Sequence, residues 1–521
     1  MSSAEDAVVR QDRGEDPNSG INPRRWLILV LVQISTLTFG VAITATNIVL
    51  PQVRGALSVT HDQAAWIVTV FLAAAAVATP LTGWVAGRLG WRRFMVSALV
   101  GFTVSSIACG LAGSLEVLLV ARVAQGLFGA PLMPLGQGML LATFPRRMHP
   151  LVLMLWGVGA VMGPVLGPVL GGWIAESLNW RWAFLAMAPV SALTAVLAVV
   201  ALRDQDRGTS GRLGTIGFIA LALCMSSAQL MLDRGHRLDW FESFEITTEA
   251  ALALAGACVF IAHTAYSRTP FLSPRMFRDW NFSVGIAMAF IMGAMSYTPI
   301  VLFPSLLQDL RHFPDATVGY LLSARGIGNF FSFMIVVPFT RYSARLALAV
   351  GLVLQAWAGW QMSLLNINLT AFDVFWTNAV QGFGFGLAYT PMTVLAFSTL
   401  PTQLVVQASA VFNLMRNFGS SLFISLSILV LLRSTAENYD GLRAMVSPMN
   451  ETLNSPGLAG GWTLDTTEGL AALSEELQRQ ASMGGYLNAF ALFALAAAVA
   501  LPLAWLFRAP KGEHANIESP G

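Results

Sequence analysis

A lone arginine inside an apolar run is the first residue of this chain that could do chemistry. Arg122 lies within LLVARVAQGL, beyond comfortable reach of either end of a membrane-length segment. A charge at that depth costs about 3 kcal/mol on insertion scales and is normally retained for a pathway, an ion pair or a proton relay. Arg325 (LLSARGIGN) and Arg416 (NLMRNFGSS) are similar but stand nearer helix ends. Snorkelling or bonding to backbone carbonyls is the competing reading there, above all for Arg325. Asn413, Arg416 and Asn417 fall at i, i+3 and i+4, so one face of an apolar helix is polar. Gln125, Gln137, Asn329, Asn378 and Gln381 add uncharged donors and acceptors. Lipid cannot satisfy such groups, so they must face the bundle interior or a water-filled cavity. For several of them plain interhelical hydrogen bonding is enough. Trp66, Phe330, Phe331, Trp376, Phe385 and Tyr389 could line an apolar cavity, although any single aromatic also serves as packing or interface anchor.

No enzyme constellation accompanies these residues. Histidines are scattered, carboxylates cluster in loops, and no phosphate-cradling GxxxxGK[ST] occurs. Cys109, Cys224 and Cys258 lie in apolar runs and suggest neither a disulfide framework nor a metal site. ATP-driven transport by this chain alone is not expected. An ion gradient, with no cofactor, is the natural energy source.

The elements that must hold these residues are membrane helices. Hydrophobic residues make up 55% and charged residues 11% of 521 positions, against about 25% charge in a soluble domain. The net charge of +2 and the lack of a basic cluster give no sign of a nucleic-acid partner. A span needs about 20 apolar residues. That yardstick predicts roughly fourteen spans near 26–46, 64–82, 95–113, 117–141, 150–174, 182–202, 214–232, 249–267, 282–305, 315–338, 345–363, 371–397, 404–432 and 485–507. Arginines concentrate in one set of loops and ends, including Arg24, Arg25, Arg88, Arg92, Arg93, Arg146, Arg147, Arg203, Arg341, Arg345 and Arg508. The positive-inside rule then predicts cytoplasmic termini. Residues 1–25 are polar and lack the order of a secretory signal, so the first apolar run is expected to stay as an anchor. A polar break runs from Arg203 to Arg212. A longer external loop is expected over 433–484, with a short amphipathic helix marked by Leu470, Leu473 and Leu477.

Two patterns suggest moving halves. Arg122-Val-Ala-Gln125-Gly126 in the fourth span is echoed by Asn378-Ala-Val-Gln381-Gly382 in the twelfth, and a proline follows each at nearly the same distance, Pro134 and Pro391. Internal repeats with polar groups at one depth are a mark of secondary transporters. In the fifth span Gly159, Gly163, Gly167 and Gly171 recur every fourth residue, giving a face almost without side chains. Pro164 and Pro168 each remove a helical hydrogen bond there and are expected to bend it. Tight packing alone is the plainer reading of the glycines.

Taken together these residues resemble the major facilitator superfamily, its fourteen-helix drug:proton antiporter branch, and most closely the EmrB/QacA group. Gly83-Trp-Val-Ala-Gly-Arg88-Leu-Gly90-Trp-Arg92-Arg93 is similar to the signature of the second–third loop. Leu119-Val-Ala-Arg122-Val-Ala-Gln125-Gly126 is similar to the fourth-span signature, whose arginine is implicated in proton coupling. Thr46-Asn47-Ile-Val-Leu-Pro51 resembles the end of the first-span signature, and the glycine–proline stretch the fifth-span antiporter signature. Met231-Leu-Asp233-Arg234-Gly235 and Leu238-Asp239-Trp240-Phe241 are similar to EmrB-type members. The resemblance implies two six-helix bundles, 26–202 and 271–508, with two extra helices in 203–270 and cytoplasmic tails 1–25 and 509–521. It implies proton-driven export of amphipathic compounds across the inner membrane by alternating access. Arg122, Arg325 and Arg416 would then be the central charges. Asn47, Gln125, Gln137, Asn378, Gln381, Tyr389, Asn413 and Asn417 would line the substrate cavity. The fifth-span glycines and prolines would pack against the opposite half as a gate, and Arg88, Arg92 and Arg93 would hold one state from the cytoplasmic side. The resemblance also implies partners: a periplasmic adaptor of the EmrA kind and an outer-membrane channel, with the 433–484 loop as a candidate contact. Two departures stand out. Gly87 replaces the loop signature's aspartate, and Ala42 stands where the family's first-span acid is the favoured proton carrier. Asp62, Glu116, Asp233 and Asp309 are substitutes by type. An importer or a metabolite or lipid exporter of the same fold, and a transport-inactive scaffold or sensor, are the competing readings.

Overall fold

The computed structural model describes residues 23–203, 214–235, 238–267, 270–446 and 466–508. Among these every regular element is helical, as expected where lipid offers no partner for backbone polar groups. The first six apolar segments form α1 (Pro23–Leu57), α2 (His61–Ala78) continued by α3 (Thr82–Leu89), α4 (Trp91–Leu111), α5 (Leu115–Gly129) with α6 (Leu132–Thr143), α7 (His149–Ser177), and α8 (Trp182–Leu185) with α9 (Met187–Ala201). Two further helices follow, α10 (Thr215–Arg234) and α11 (Phe244–Tyr266). The remainder comprises α12 (Pro274–Arg278), α13 (Trp280–Ser305), α14 (Asp315–Ser363), α15 (Ala371–Phe397), α16 (Val405–Ala444) and α17 (Thr467–Leu506). Eleven helices among the described residues are long and apolar enough to cross a membrane by length and composition.

Local chemistry sets several boundaries. Thr60 and Thr370 close capping boxes with Gln63 and Asp373, which satisfies backbone donors that have no helical partner. The 49 residues of α14 would extend about 75 Å if straight, more than twice a hydrocarbon core of about 30 Å. Ser343 breaks it with extended backbone (φ −159°, ψ 105°), and its Oγ accepts the Leu346 N–H at 3.3 Å, capping the second arm. Gly90 (φ 82°) turns α3 into α4 through backbone that disfavours side chains.

The first and fourth predicted spans match the apolar stretches Pro23–Thr46 and Leu115–Thr143, with added detail, and the long loop needs correction. The first helix runs through Pro51 to Leu57, beyond 46. The fourth span is two helices meeting at Ala130–Pro131. The 433–484 loop is largely helix: α16 continues to Ala444, and the leucine-bearing segment is the beginning of α17, capped by Thr466. Polar residues there misled a hydropathy reading, since a helix leaving the apolar layer can continue in water. Only 447–465 of that loop lie outside the described residues.

The helices pack in two groups. α1 lies along α7, α2 and α4 along α5, and α9 on α4 and α1; separately, α13 lies along α16, α14 along α15, and α17 on α14 and α16. The seam between the groups is formed by α6 with α16 and by α7 with α14 and α15. α10 bridges the groups: Asp233 accepts from Thr69 of α2, Gln229 donates to Ser421 of α16 at 2.8 Å, and Ser425 donates to the Leu232 carbonyl at 2.9 Å. α11 packs on α10 and leaves most of its own surface outside. The start of α1 and the start of α4 meet the end of α9, the start of α13 meets the end of α17, and Gly83 ahead of α4 lies against Gln407, which donates to the Phe271 carbonyl ahead of α12; this end of the bundle, with both described chain ends, is the terminal face.

Candidate functional site

Arg122 is fully buried. Its Nε donates to the Ile67 carbonyl at 3.0 Å and its Nη1 to Gln125 Oε1 at 2.6 Å. Gln125 Nε2 in turn donates to Ser106 at 2.8 Å. The guanidinium lies 4.1 Å from the centre of the Phe71 ring and 5.6 Å from that of Phe184. No carboxylate neutralises it among the described residues; a carbonyl, an amide oxygen and aromatic faces do so. Each aromatic face contributes up to about 2 kcal/mol when desolvated, so the charge is tolerable although unpaired. Gly126 makes this possible: a Cβ there would strike the Phe71 carbonyl, so α5 and α2 meet backbone to backbone.

The echo in the second half keeps that backbone approach and changes the chemistry. A Cβ at Gly382 would strike the Arg325 carbonyl, so Arg325 occupies the place that Phe71 holds in the first half. Asn378 bonds only within its own helix, to the Val374 carbonyl at 2.9 Å. Gln381 and Gln355 are reciprocally bonded: Gln381 Nε2 donates to Gln355 Oε1 at 3.1 Å, and Gln355 Nε2 to the Gln381 carbonyl at 2.8 Å. Arg325 is 3% exposed with its guanidinium 5.5 Å from the Phe385 ring centre. Its Nε and Nη1, and both amide atoms of buried Asn329, have no hydrogen-bond partner among the described residues. Buried polar groups are normally paired, so these four atoms are an exception within the second half.

At the seam Asn413 Nδ2 donates to Gln137 Oε1 at 2.8 Å, joining α16 to α6. Three residues on, Arg416 Nη1 donates to the Tyr389 hydroxyl at 2.9 Å, and Nη2 meets Met133 Sδ at 3.2 Å. Tyr389 stacks between Trp156 and Phe385, with ring centres at 6.2 and 5.5 Å. The Trp156 indole donates to Thr36 at 3.1 Å. Trp156, Met133 and Thr36 escaped the sequence reading because apolar or small residues in an apolar run carry no signal of what they face. Asn417 shares the face of Asn413 one turn further from the terminal face, and it is exposed. The seam is therefore bridged at Asn413 and Arg416, and Asn417 beside them is exposed. The side chain of Asn47 lies outside the described ones.

The terminal side of the seam is sealed by side chains. Met154, Leu155 and Val158 of α7 pack with Phe333, Val336 and Leu387. Gly83 of the loop signature lies against α16, where a Cβ would come within 2.8 Å of Gln407 Cα. Arg88 lies over Trp84 at 5.3 Å, Arg92 donates to the Val199 carbonyl at 3.1 Å, and Arg93 is exposed. The fifth-span glycines do not face the opposite half as expected. Cβ atoms at Gly163 and Gly171 would lie 2.9 Å from Gly40 Cα and 3.0 Å from the Ala45 carbonyl, and one at Gly159 would lie 2.7 Å from Gln33 Nε2. Gly167 likewise meets Thr44. All four partners are on α1, in the same half. Pro164 and Pro168 fall within the continuous helix α7. A backbone-to-backbone contact makes α1 and α7 one body, whereas a contact that must part is made of separable side chains.

The acids are spread. Glu116 and Asp309 are exposed, and the side chain of Asp62 is outside the described ones. Asp233 is half-buried and bonded to Thr69 of α2. Ala42 is buried in α1. No group of three or more histidine, cysteine or acidic residues that could hold a metal occurs among the described residues.

Relatives match nearly the whole chain in sequence. Multidrug export protein EmrB of Haemophilus influenzae is 29% identical over 493 residues, covering 93% of this chain and 96% of the relative. Fatty acid resistance protein FarB of Neisseria gonorrhoeae is 29% identical over 493 residues, covering 91% and 96%. The crystal structure of a double-tryptophan XylE variant shares the fold, with a TM-score of 0.60 at 13% identity over 93% of this chain and 99% of that one. The Major Facilitator Superfamily profile matches residues 32–424, well over half of the sequence. With that match, two helical groups meeting at a polar seam and eleven helices fit to cross a membrane, the chain belongs to the Major Facilitator Superfamily.

Proposed function

We propose that this transporter exports amphipathic or hydrophobic compounds across the inner membrane in exchange for protons, by alternating access between two six-helix bundles. In this reading the chain crosses fourteen times. The bundles are 26–202 and 271–508, 203–270 adds two crossings, and the terminal face is cytoplasmic. The observation that carries it is the seam, where two helical groups are joined by separable side-chain contacts such as Asn413–Gln137, with Asn417 exposed beside them. Two halves joined by separable contacts are what alternating access requires. The names of the relatives, a multidrug exporter and a fatty acid resistance protein, support amphipathic substrates. The fully or nearly buried charges among the described residues are Arg122, Arg325 and Arg416. An all-positive interior favours compounds that carry an acidic group.

Gln137, Gln381, Asn413, Asn417 and Tyr389 would contact substrate, Arg122 would couple proton movement to the N-terminal half, and Asp233 would be the exchanging acid in place of Ala42. A periplasmic adaptor and an outer-membrane channel complete the export route in this proposal, docking near 433–484. The test is susceptibility of a pump-deficient cell to amphipathic toxins with and without the chain, repeated after a protonophore. Protection that vanishes with the protonophore is expected; protection that persists would overturn proton coupling. The lack of a fully buried acid among the described residues favours one other reading, a transport-inactive sensor. Substrate-stimulated proton flux in vesicles holding the purified chain would exclude it.

A further inference from the structure

The two inserted helices sit where the helical groups spread apart. At the terminal face the groups touch directly, since a Cβ at Gly83 of α3 would lie 2.8 Å from Gln407 Cα of α16. Further from that face, among the described residues, α2 does not pack along α16, and α10 stands between the two and packs on both. Its last turns bond to each. Asp233 accepts from Thr69 of α2. Gln229 Nε2 donates to Ser421 Oγ of α16 at 2.8 Å, and Ser425 Oγ of α16 donates to the Leu232 carbonyl at 2.9 Å.

The two holds differ in kind. On the α2 side Asp233 offers a carboxylate, and a hydroxyl–carboxylate bond is about twice as strong as a neutral one. Beside it the Arg234 guanidinium lies 4.4 Å from the centre of the Trp66 ring of α2, a cation–π contact. Arg234 also pairs with Glu245 of α11. α11 in turn meets α10 backbone to backbone, because a Cβ at Gly256 would lie 2.8 Å from the Ala220 carbonyl oxygen. Charge and backbone packing therefore tie α2, α10 and α11 into one body. On the α16 side both bonds join neutral groups. Bonds through serine and glutamine side chains can part without opening a backbone contact.

We propose that the inserted pair travels with the N-terminal group and latches it to α16. This rests on alternating access as proposed above, in which the gap between α2 and α16 must narrow on the side away from the terminal face. α10 fills that gap. Parting of Gln229 from Ser421 and of Ser425 from Leu232 is the release. The latch thus holds the arrangement described here, and it gives the two inserted helices a task that a pair of six-helix bundles alone would lack.

Spin-label distances in the purified full chain, reconstituted in nanodiscs, test the latch. Labels are carried on the exposed positions Val120 of α5, Phe244 of α11 and Leu432 of α16, with the three native cysteines replaced by serine. The Val120–Phe244 distance is expected to stay single in every variant. The Phe244–Leu432 distance is expected to show a major and a minor population. Ser425→Ala should raise the minor one about fivefold relative to the major, the usual effect of one lost hydrogen bond. Adding Ser421→Ala should raise it further. An unchanged Phe244–Leu432 distribution in the double variant, while Val120–Leu432 varies, would overturn the latch and leave alternating access standing. A Val120–Leu432 distance that is single and fixed in every variant would overturn both. Splitting of Val120–Phe244 beside a single Phe244–Leu432 distance would mean that the inserted pair rides on the C-terminal group, which also overturns the latch.

Discussion

Each half of the molecule buries an arginine where its second and fourth helices cross, but the two arginines come from opposite sides of the crossing. In the N-terminal half the cation is Arg122 on α5, and the facing position on α2 is Phe71. In the C-terminal half the cation is Arg325 on α14, and Asn378 holds the place of Arg122 on α15. What the repeat keeps is the glycine-to-carbonyl approach, Gly126 on Phe71 and Gly382 on Arg325. What it changes is how well the charge is held. Arg122 is bonded to Ile67 and Gln125 and covered by two aromatic faces, with its Nη2 alone lacking a hydrogen-bond partner among the described residues, while Arg325 keeps two nitrogens without partners there beside an equally unsatisfied Asn329. Backbone packing and polar chemistry are therefore separable layers: the first is shared by both halves, and the second makes one half a firm support and the other a receptive surface.

The largest effect should come from attacking the shared layer. Gly126→Leu and Gly382→Leu each drive a side chain into a backbone carbonyl, an overpacking cost of about 3 kcal/mol or more. Both should cut the yield of monodisperse protein severely and to a similar extent. Tolerance of one and not the other would break the equivalence of the crossings. Next, Arg122→Ala should lower substrate-stimulated proton flux in vesicles about tenfold or more, since a retained intramembrane charge is a functional position by default. Arg325→Ala should instead raise the apparent KM for an acidic amphiphile with a smaller loss of flux. Equal effects on flux would erase the contrast between support and receptor.

Smaller still should be an exchange of patterns. Phe71→Arg places a second cation against Arg122 and should lower the melting temperature by about 5 °C or more. Adding Arg122→Asn recreates the arrangement of the C-terminal half and should recover most of that loss; failure to recover would mean that the two crossings differ beyond their side chains. The smallest change is Asn413→Ala, which removes one seam hydrogen bond. At about 1 kcal/mol it should move the balance between closed and open seams about fivefold, read as a shift in spin-label distances across the terminal face.

How much of this was legible in the sequence varies with the kind of information. The apolar lengths place most helices to within a few residues, because crossing lipid demands a run that hydropathy can count. α14 and its break near 343 also follow from that count. The ends of α16 and α17 did not, because a helix continuing into water loses its apolar signal and keeps its hydrogen bonds. Arg122, Arg325 and Arg416 stood out because charge is costly in lipid wherever it points. The glycine stripe of α7 announced a close neighbour, and the periodicity could not say which.

Sequence alone thus determined that this chain is a membrane bundle with Arg122 in its interior, since the cost of exposing backbone and charge to lipid is set residue by residue, while the burial of Arg325 and Arg416 came from the structure. Tertiary structure alone decided the partners. It put α1 against the glycines of α7, Tyr389 between Trp156 and Arg416, Gln137 against Asn413, and Arg325 in the place of Phe71. The reason is physical: periodicity fixes which face of a helix is buried, while the identity of the opposing side chain depends on how helices distant in sequence cross, and no local pattern records that.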